Sequence, residues 1–249
     1  MLPKARAAAQ KAVELDPNLP DAHLELAQLA TQNWDWQTAE REFQRTLELN
    51  PNMVEAHNGY AHYLSNMGRN EQAVAEAYRV RELDPLKLHS YASVAIILAD
   101  VRRYDEAIIE IKKIHEVYPN ILLNILGKSY VGKGMYREAI DVFQQRKRLG
   151  NFSSYDKMYI GMAYAGAGER EKAQAILEEL EKSKEYVSPG EFAILYVALG
   201  ERDKAFALLE KAYAARDLQL KHLKSELGYT PLHDDPRFQD LVKRLNLPE

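Results

Sequence analysis

The sequence has 249 residues and no cysteine, so disulfides, Cys-ligated zinc and thiol catalysis are excluded. Hydrophobic residues make up 46% and charged residues 28% of the chain, which excludes disorder as its main state. The net charge of −4 gives no sign of a nucleic-acid-binding surface, and no apolar run reaches the roughly 18 residues that a membrane span needs.

Two residue types recur with one period along the chain. The prolines of the first series lie 34 residues apart, at Pro17, Pro51, Pro85 and Pro119. The alanines of the second series lie 32 or 34 residues apart, at Ala39, Ala73, Ala107, Ala139, Ala173 and Ala205. Two independent series with a common period predict a tandem repeat.

Each period contains two helical patterns. From Val54 to Met67 the apolar residues recur every three or four positions, and Gly68 then ends the helix. A second helix follows from Asn70 to Leu83 and ends before Pro85, because the residue before a proline is driven out of the α region. The unit is therefore an αα-hairpin. Since no segment alternates in polarity, the sequence predicts an all-α fold.

These hairpins resemble the tetratricopeptide repeat (TPR) family over residues 1 to about 217. That family has a small residue at position 8 and an alanine at position 20, where two helices approach closely. Position 20 is the alanine series above, and position 8 holds Ala27, Ala61, Ala95, Gly127, Gly161 and Ala193. The resemblance implies an α-solenoid, a right-handed superhelix of antiparallel helix pairs.

By this resemblance the chain starts in the middle of a repeat. Residues 1–19 supply only a second helix, residues 218–249 supply C-terminal capping helices, and the full repeats lie between them, at 20–53, 54–87, 88–119, 120–153, 154–185 and 186–217. We therefore expect a fragment of a longer polypeptide; a short protein with a half-repeat cap is the alternative. Trp34 takes the turn position that Gly68 has in the next repeat, and we expect its side chain to be half exposed.

The C-terminal segment departs from the repeat pattern. A helix-like stretch near 218–227 is followed by a last short helix with one apolar stripe, made of Phe238, Leu241, Val242 and Leu245. The run from Tyr229 to Leu241 resembles the ending of TPR regions in bacterial multidomain signalling proteins, namely winged-helix regulators, Ser/Thr kinases and adenylate cyclases. This resemblance implies the sensory or partner-binding region of a larger regulatory protein.

In TPR proteins the first helix of each hairpin lines a concave groove that binds proteins or peptides. By resemblance, the groove residues of this chain are Asn58, His62, His89, Ala92, Ile96, Asn124, Lys128, Tyr155, Met158 and Met162. Apolar residues such as Ile96 and Met162 would supply buried area, and the amides of Asn58 and Asn124 would fix the register of the ligand together with Lys128. An extended and a helical ligand both remain open. The alternative for some of these side chains is packing inside the solenoid.

No motif indicates catalysis, a metal or a cofactor. The sequence has no His-Glu-x-x-His, no Gly-rich phosphate loop and no nucleophile elbow, so we expect a non-enzymatic protein. Tails of Hsp70 and Hsp90 are disfavoured as partners, because no three consecutive repeats supply the carboxylate clamp of chaperone-binding TPR domains. Nucleic acid is disfavoured too, since the basic stretch from Arg146 to Arg148 complements the end of a helix dipole.

Self-association is the second functional hypothesis. The ends of the solenoid, including the unpaired N-terminal helix, would then dock on a second copy and form a homo-oligomer. Light scattering over a concentration series distinguishes this hypothesis from ligand binding. The sequence leaves the compartment open: a cytoplasmic domain is favoured, and the extracytoplasmic part of a membrane-anchored regulator is the alternative.

Overall fold

The computed structural model describes residues 2–150, 152–183 and 186–248. In these ranges the chain forms α-helices and short 3₁₀ helices without any β-strand, and the expected all-α class is confirmed. The α-helices are α1 (Leu2–Leu15), α2 (Pro20–Gln32), α3 (Trp36–Leu49), α4 (Val54–Asn66), α5 (Asn70–Leu83), α6 (Leu88–Asp100), α7 (Tyr104–His115), α8 (Leu123–Gly132), α9 (Tyr136–Arg148), α10 (Ser154–Gly166), α11 (Arg170–Glu181), α12 (Pro189–Ala198), α13 (Arg202–Ala214) and α14 (Pro236–Arg244). The 3₁₀ helices, Leu218–His222 and Leu227–Leu232, lie between α13 and α14.

Contacts group these elements into two units. The first unit contains the chain up to Ile97 together with the residues from Leu241 onward, and the second runs from Leu98 to Asp240. Successive helices pack in pairs, α2 with α3 and α4 with α5 in the first unit, and α8 with α9, α10 with α11 and α12 with α13 in the second. Because a short turn joins the two helices of each pair, they run antiparallel.

Small residues let the two helices of a pair approach closely. Ala27 on α2 and Ala39 on α3 are both completely buried. Gly127 on α8 lies against Phe143 on α9, and a Cβ atom at this glycine would be 2.5 Å from the phenylalanine ring. Ala27 and Gly127 are both position 8 of the repeat pattern, so the preference for small residues there has a direct steric cause.

The turns inside the helix pairs use a left-handed backbone. Several have a glycine with positive φ, at Gly68, Gly134, Gly168 and Gly200. Trp34 and Arg102 occupy the same turn position with φ of 61° and 66°, a conformation that strains a residue with a Cβ atom. The expectation that Trp34 is half exposed is wrong: only 8% of the residue is exposed, because the indole packs into the first unit.

Two histidines link the start of a first helix to neighbouring elements. His57 on α4 contacts Glu76 on α5 through Nδ1 at 2.5 Å and the carbonyl oxygen of Pro51 through Nε2 at 3.0 Å. His23 makes the equivalent contacts one repeat earlier. Burial disfavours the charged imidazole, but the hydrogen bonds to Glu76 and Pro51 outweigh burial and raise the pKa of His57. The repeated proline therefore positions a carbonyl group for the repeated histidine.

The C-terminal segment contributes to the core of the second unit. The helix-like stretch expected near 218–227 is a 3₁₀ helix that ends at His222. The fully buried side chains of this segment are Leu220, Leu223, Tyr229 and Leu232. The segment is therefore an integral part of the unit.

The last residues of the chain belong to the first unit. Leu245 and Leu247 are buried there. The indole Nε1 of Trp36, the first residue of α3, donates a hydrogen bond to the carbonyl oxygen of Leu245 at 2.6 Å. The chain end is thus joined directly to the first helix pair.

Candidate partner-binding surface

Half of the residues predicted to line a groove lie in the first unit. His89 is exposed, and the half-buried ones are Asn58, His62, Ala92 and Ile96. The hydroxyl of Ser93 on α6 donates to the side-chain oxygen of Asn58 on α4 at 2.6 Å. This bond uses the oxygen of the Asn58 amide and orients the amide, whose NH₂ group carries two donors.

The other five predicted groove residues lie in the second unit and differ in burial. The half-buried residues are Asn124, Tyr155 and Met162. Lys128 is buried, and Met158 has no exposed surface at all. Met158 therefore packs inside the unit, while Met162 on the same helix reaches its surface.

Lys128 forms a buried ion pair. Its Nζ on α8 lies 2.7 Å from Oδ1 of Asp100, the last residue of α6. Burial alone would lower the pKa of Lys128, but the Asp100 carboxylate outweighs burial and raises that pKa well above its usual range. The ammonium group is therefore charged and already paired, so it is not an open cation for a ligand.

The C-terminal segment meets α10 at a buried carboxylate. The hydroxyl of Tyr159 donates to Oε1 of Glu226 at 2.6 Å, and the backbone N–H of Gly228 donates to the same oxygen at 3.2 Å. The ring of Tyr155 lies edge-on to that of Tyr159, with 4.8 Å between the centroids. Burial raises the pKa of both tyrosines, so their hydroxyls stay protonated and able to donate.

The sequence pattern missed three polar residues of this surface. Asp100 and Tyr159 lie on first helices but outside the positions assigned to the groove. Glu226 lies beyond the last repeat, so no periodic signal points to it. The sequence did contain one indication of such a carboxylate, namely Lys128, because a lysine buried within an apolar helix requires a counter-ion.

A cavity of about 290 Å³ is open on the second unit beside these residues. Its walls come from α8, α9, α10, α12 and the second 3₁₀ helix, and its lining includes Val131, Tyr136, Met162, Val197, Leu227 and Pro231. Most of these side chains are apolar, so the cavity favours an apolar group. Met162 is the predicted groove residue that lines it.

The described ranges contain neither a metal-binding cluster nor a membrane-spanning helix. No group of three or more carboxylate, histidine or cysteine side chains in those ranges is arranged to hold a metal ion. Within the same ranges, every helix is too short or too polar to cross a membrane.

Solved structures share this arrangement of helices at low sequence identity. A tetratricopeptide repeat protein from Parabacteroides merdae is 14% identical with a TM-score of 0.69, and the match covers 98% of this chain and 92% of that chain. PilW, a widely conserved type IV pilus biogenesis factor, is 19% identical with a TM-score of 0.63, and the match covers 77% of this chain and 89% of that chain. Human IFIT1, solved as a dimer with PPP-AAAA, is 17% identical with a TM-score of 0.62, over 98% of this chain and 68% of that chain.

No protein-family model matches the sequence, and no curated protein sequence matches it. At identities below 20% the structural matches extend to the fold and leave the ligand undetermined. They agree with the packing of the helices in consecutive pairs. The chain therefore has the tetratricopeptide repeat fold.

Proposed function

We propose that the chain is a non-enzymatic scaffold that binds a protein or peptide through its second unit. The observation that carries this proposal is the apolar cavity beside Met162, about 290 Å³ in volume. This volume lies at the small end of the roughly 300–1,000 Å³ that is usual for ligand pockets, and it has room for one or two apolar side chains of a polypeptide. Apolar concave surfaces of this kind are where protein partners bury area.

Met162 and Lys128 have different parts in this proposal. Met162 is half-buried at the cavity wall, and its flexible thioether adapts to apolar groups of different shape. Lys128 is paired with Asp100, so its role is structural. Polar contacts with the ligand are made instead by the half-buried Asn124 and Tyr155. Affinity then comes mainly from an apolar anchor of the ligand.

The ligand binds beside the C-terminal segment and does not displace it. Arg202 donates to the carbonyl oxygen of Pro231 at 3.1 Å, and the hydroxyl of Tyr229 donates to the carbonyl oxygen of Gly190 at 2.9 Å. Displacement would break both hydrogen bonds and expose the fully buried Tyr229 and Leu232. The segment is accordingly a fixed wall of the site.

Selection of a phage-displayed peptide library on the wild-type protein tests this proposal. Enriched peptides should share an apolar residue, and their affinity, measured by fluorescence anisotropy, should fall about tenfold or more for Met162→Glu, because a charge enters the apolar cavity. Gln174→Glu on α11 is the matched control, with the same charge at an exposed position. Equal binding by the two folded variants, or the absence of any enriched peptide, would contradict the proposal.

We also propose that this scaffold is the sensory or partner-binding region of a larger bacterial regulatory protein. The support is the similarity of the run from Tyr229 to Leu241 to the ends of TPR regions in such proteins. The genomic reading frame tests it: an effector domain encoded in frame upstream supports the proposal, and a stop codon just before Met1 contradicts it. Self-association through the solenoid ends stays the alternative, and a concentration-dependent mass in light scattering would favour it.

A further inference from the structure

Two neighbouring loops of the second unit expose large apolar side chains. The loop between α7 and α8 presents Val117 and Tyr118, which are 69% and 49% exposed. The loop between α9 and α10 presents Leu149, which is 50% exposed. Both loops connect one helix pair to the next, so both lie at the same end of the antiparallel pairs.

Hydrogen bonds hold these loops side by side. The side-chain amide of Gln145, in the last turn of α9, donates to the side-chain oxygen of Asn120 at 2.6 Å. Nε2 of His115 contacts the carbonyl oxygen of Ile121 at 2.6 Å, which closes the first loop on the end of α7. The two loops are therefore neighbours, and their exposed apolar residues, Val117, Tyr118 and Leu149, together with the cationic residues next to them in the sequence are called the basic loop edge.

Cationic residues flank the apolar residues of the basic loop edge in the sequence. Residues 112–121 and 146–152 contain a single carboxylate, that of Glu116, against the cationic Lys112, Lys113, Arg146, Lys147 and Arg148. Arg146 is paired with Asp156 and Lys113 with Glu110. Lys112, Lys147 and Arg148 are exposed and form no salt bridge with a carboxylate of the described residues. This local excess of positive charge contrasts with the net charge of −4 for the whole chain.

We infer that the basic loop edge binds the surface of an anionic lipid bilayer. Lysine and arginine side chains beside an anionic membrane are attracted to its headgroups, while neighbouring tyrosine and aliphatic side chains enter the boundary between headgroups and acyl chains. Cations at the ends of α7 and α9 also complement the helix dipoles, but that role does not account for Val117, Tyr118 and Leu149 exposed beside them. A nucleic acid would leave those apolar side chains without a partner. This mode of binding lies at the surface of the membrane and uses no spanning helix.

Flotation with lipid vesicles tests this inference on the full chain. Wild-type protein should float with vesicles of phosphatidylserine mixed with phosphatidylcholine and remain unbound with phosphatidylcholine alone. The double variant Lys147→Glu with Arg148→Glu should bind the anionic vesicles about tenfold or more weakly, because two attractive charges become repulsive. The matched control is Lys204→Glu with Lys211→Glu on α13, which makes the same change of charge at exposed positions of the same unit.

A second variant separates bilayer binding from simple charge attraction. Tyr118→Ser with Leu149→Ser keeps every cation and should still bind severalfold more weakly than the wild type, because its apolar contacts with the bilayer are lost. Wild-type protein that fails to float with anionic vesicles would overturn the inference. Equal flotation of the loop charge variant and its α13 control would also overturn it. If the Tyr118→Ser, Leu149→Ser variant binds anionic vesicles as strongly as the wild type, the inference is likewise wrong, and an acidic protein partner is indicated.

Discussion

Trp34 and Arg102 show how the cost of one turn residue depends on its surroundings. Both have the left-handed backbone that glycine provides in other helix pairs, with φ of 61° and 66°. Such a conformation costs a residue with a Cβ atom roughly 1–2 kcal/mol. Trp34 is buried and Arg102 is exposed, so packing offsets the backbone strain only at Trp34.

Replacing each of these residues by glycine should change stability in opposite directions. Arg102→Gly should raise the free energy of unfolding by about 0.5–1 kcal/mol, because the strain is relieved and little packing is lost. Trp34→Gly should lower it by about 3 kcal/mol, because a buried indole is removed. Urea titrations of the two variants beside the wild type measure both effects. An increase in stability for Trp34→Gly would mean that the indole adds nothing to the packing.

The sequence was sufficient to place Trp34 at a turn but not to predict its burial. The repeat period aligns Trp34 with Gly68, and this alignment determines the backbone conformation. Burial depends on which side chains surround the turn, including those from distant parts of the chain. A local pattern carries no information about them.

At the scale of elements, the C-terminal segment depends on a few specific contacts. The helix pairs bury long apolar stripes, whereas the 3₁₀ helices are too short to have one. Glu226 is 8% exposed and accepts hydrogen bonds from Tyr159 and Gly228. A carboxylate withdrawn from water needs such donors, so the Tyr159 hydroxyl fixes the position of the segment against α10.

Removal of that hydroxyl should destabilise the protein measurably. Tyr159→Phe should lower the free energy of unfolding by about 2 kcal/mol, because the buried Glu226 carboxylate loses a short hydrogen bond. Tyr155→Phe is the matched control: its hydroxyl lies 3.4 Å from that of Tyr159 and is hydrogen-bonded to no carboxylate of the described residues. The control should lose less than about 1 kcal/mol by the same denaturant titration. Equal losses would show that Glu226 does not depend on Tyr159.

The helix pairs could be predicted from the sequence, and the polar contacts of the C-terminal segment could not. A helix pair repeats its apolar positions and its turn residue, so each copy supports the interpretation of the others. The residues from 218 to 232 occur once and have no repeat to compare. Glu226 and its partner Tyr159 are 67 residues apart, and neither is distinctive by itself.

At the scale of the whole molecule, the last residues complete the unit that contains the first repeats. Leu241, Leu245 and Leu247 are buried in the first unit, and Trp36 donates to the carbonyl oxygen of Leu245. The hydrogen bond from Trp36 joins this segment to α3 within one compact unit. The stability of the first helix pair is therefore linked to the chain end.

Truncation after Asp240 should loosen the first unit selectively. Amide hydrogen exchange, followed by mass spectrometry, should become faster in α2 and α3 because Trp36 loses its acceptor and the first unit loses three buried leucines. Exchange in α10 to α13 of the second unit should change much less. Trp36→Phe in the full chain is a milder test, since it removes one hydrogen bond and keeps the leucines. Unchanged exchange in α2 and α3 after truncation would show that the chain end does not stabilise them.

The contact between Trp36 and Leu245 joins residues that are 209 positions apart. A ribosome makes Trp36 long before Leu245, so the indole lacks this acceptor while the residues between them are synthesised. A chain that stalls between the two residues leaves the contact unmade and its first unit more open to chaperones and proteases. Synthesis of Leu245 is thus a folding step for a helix that the ribosome began 209 residues earlier.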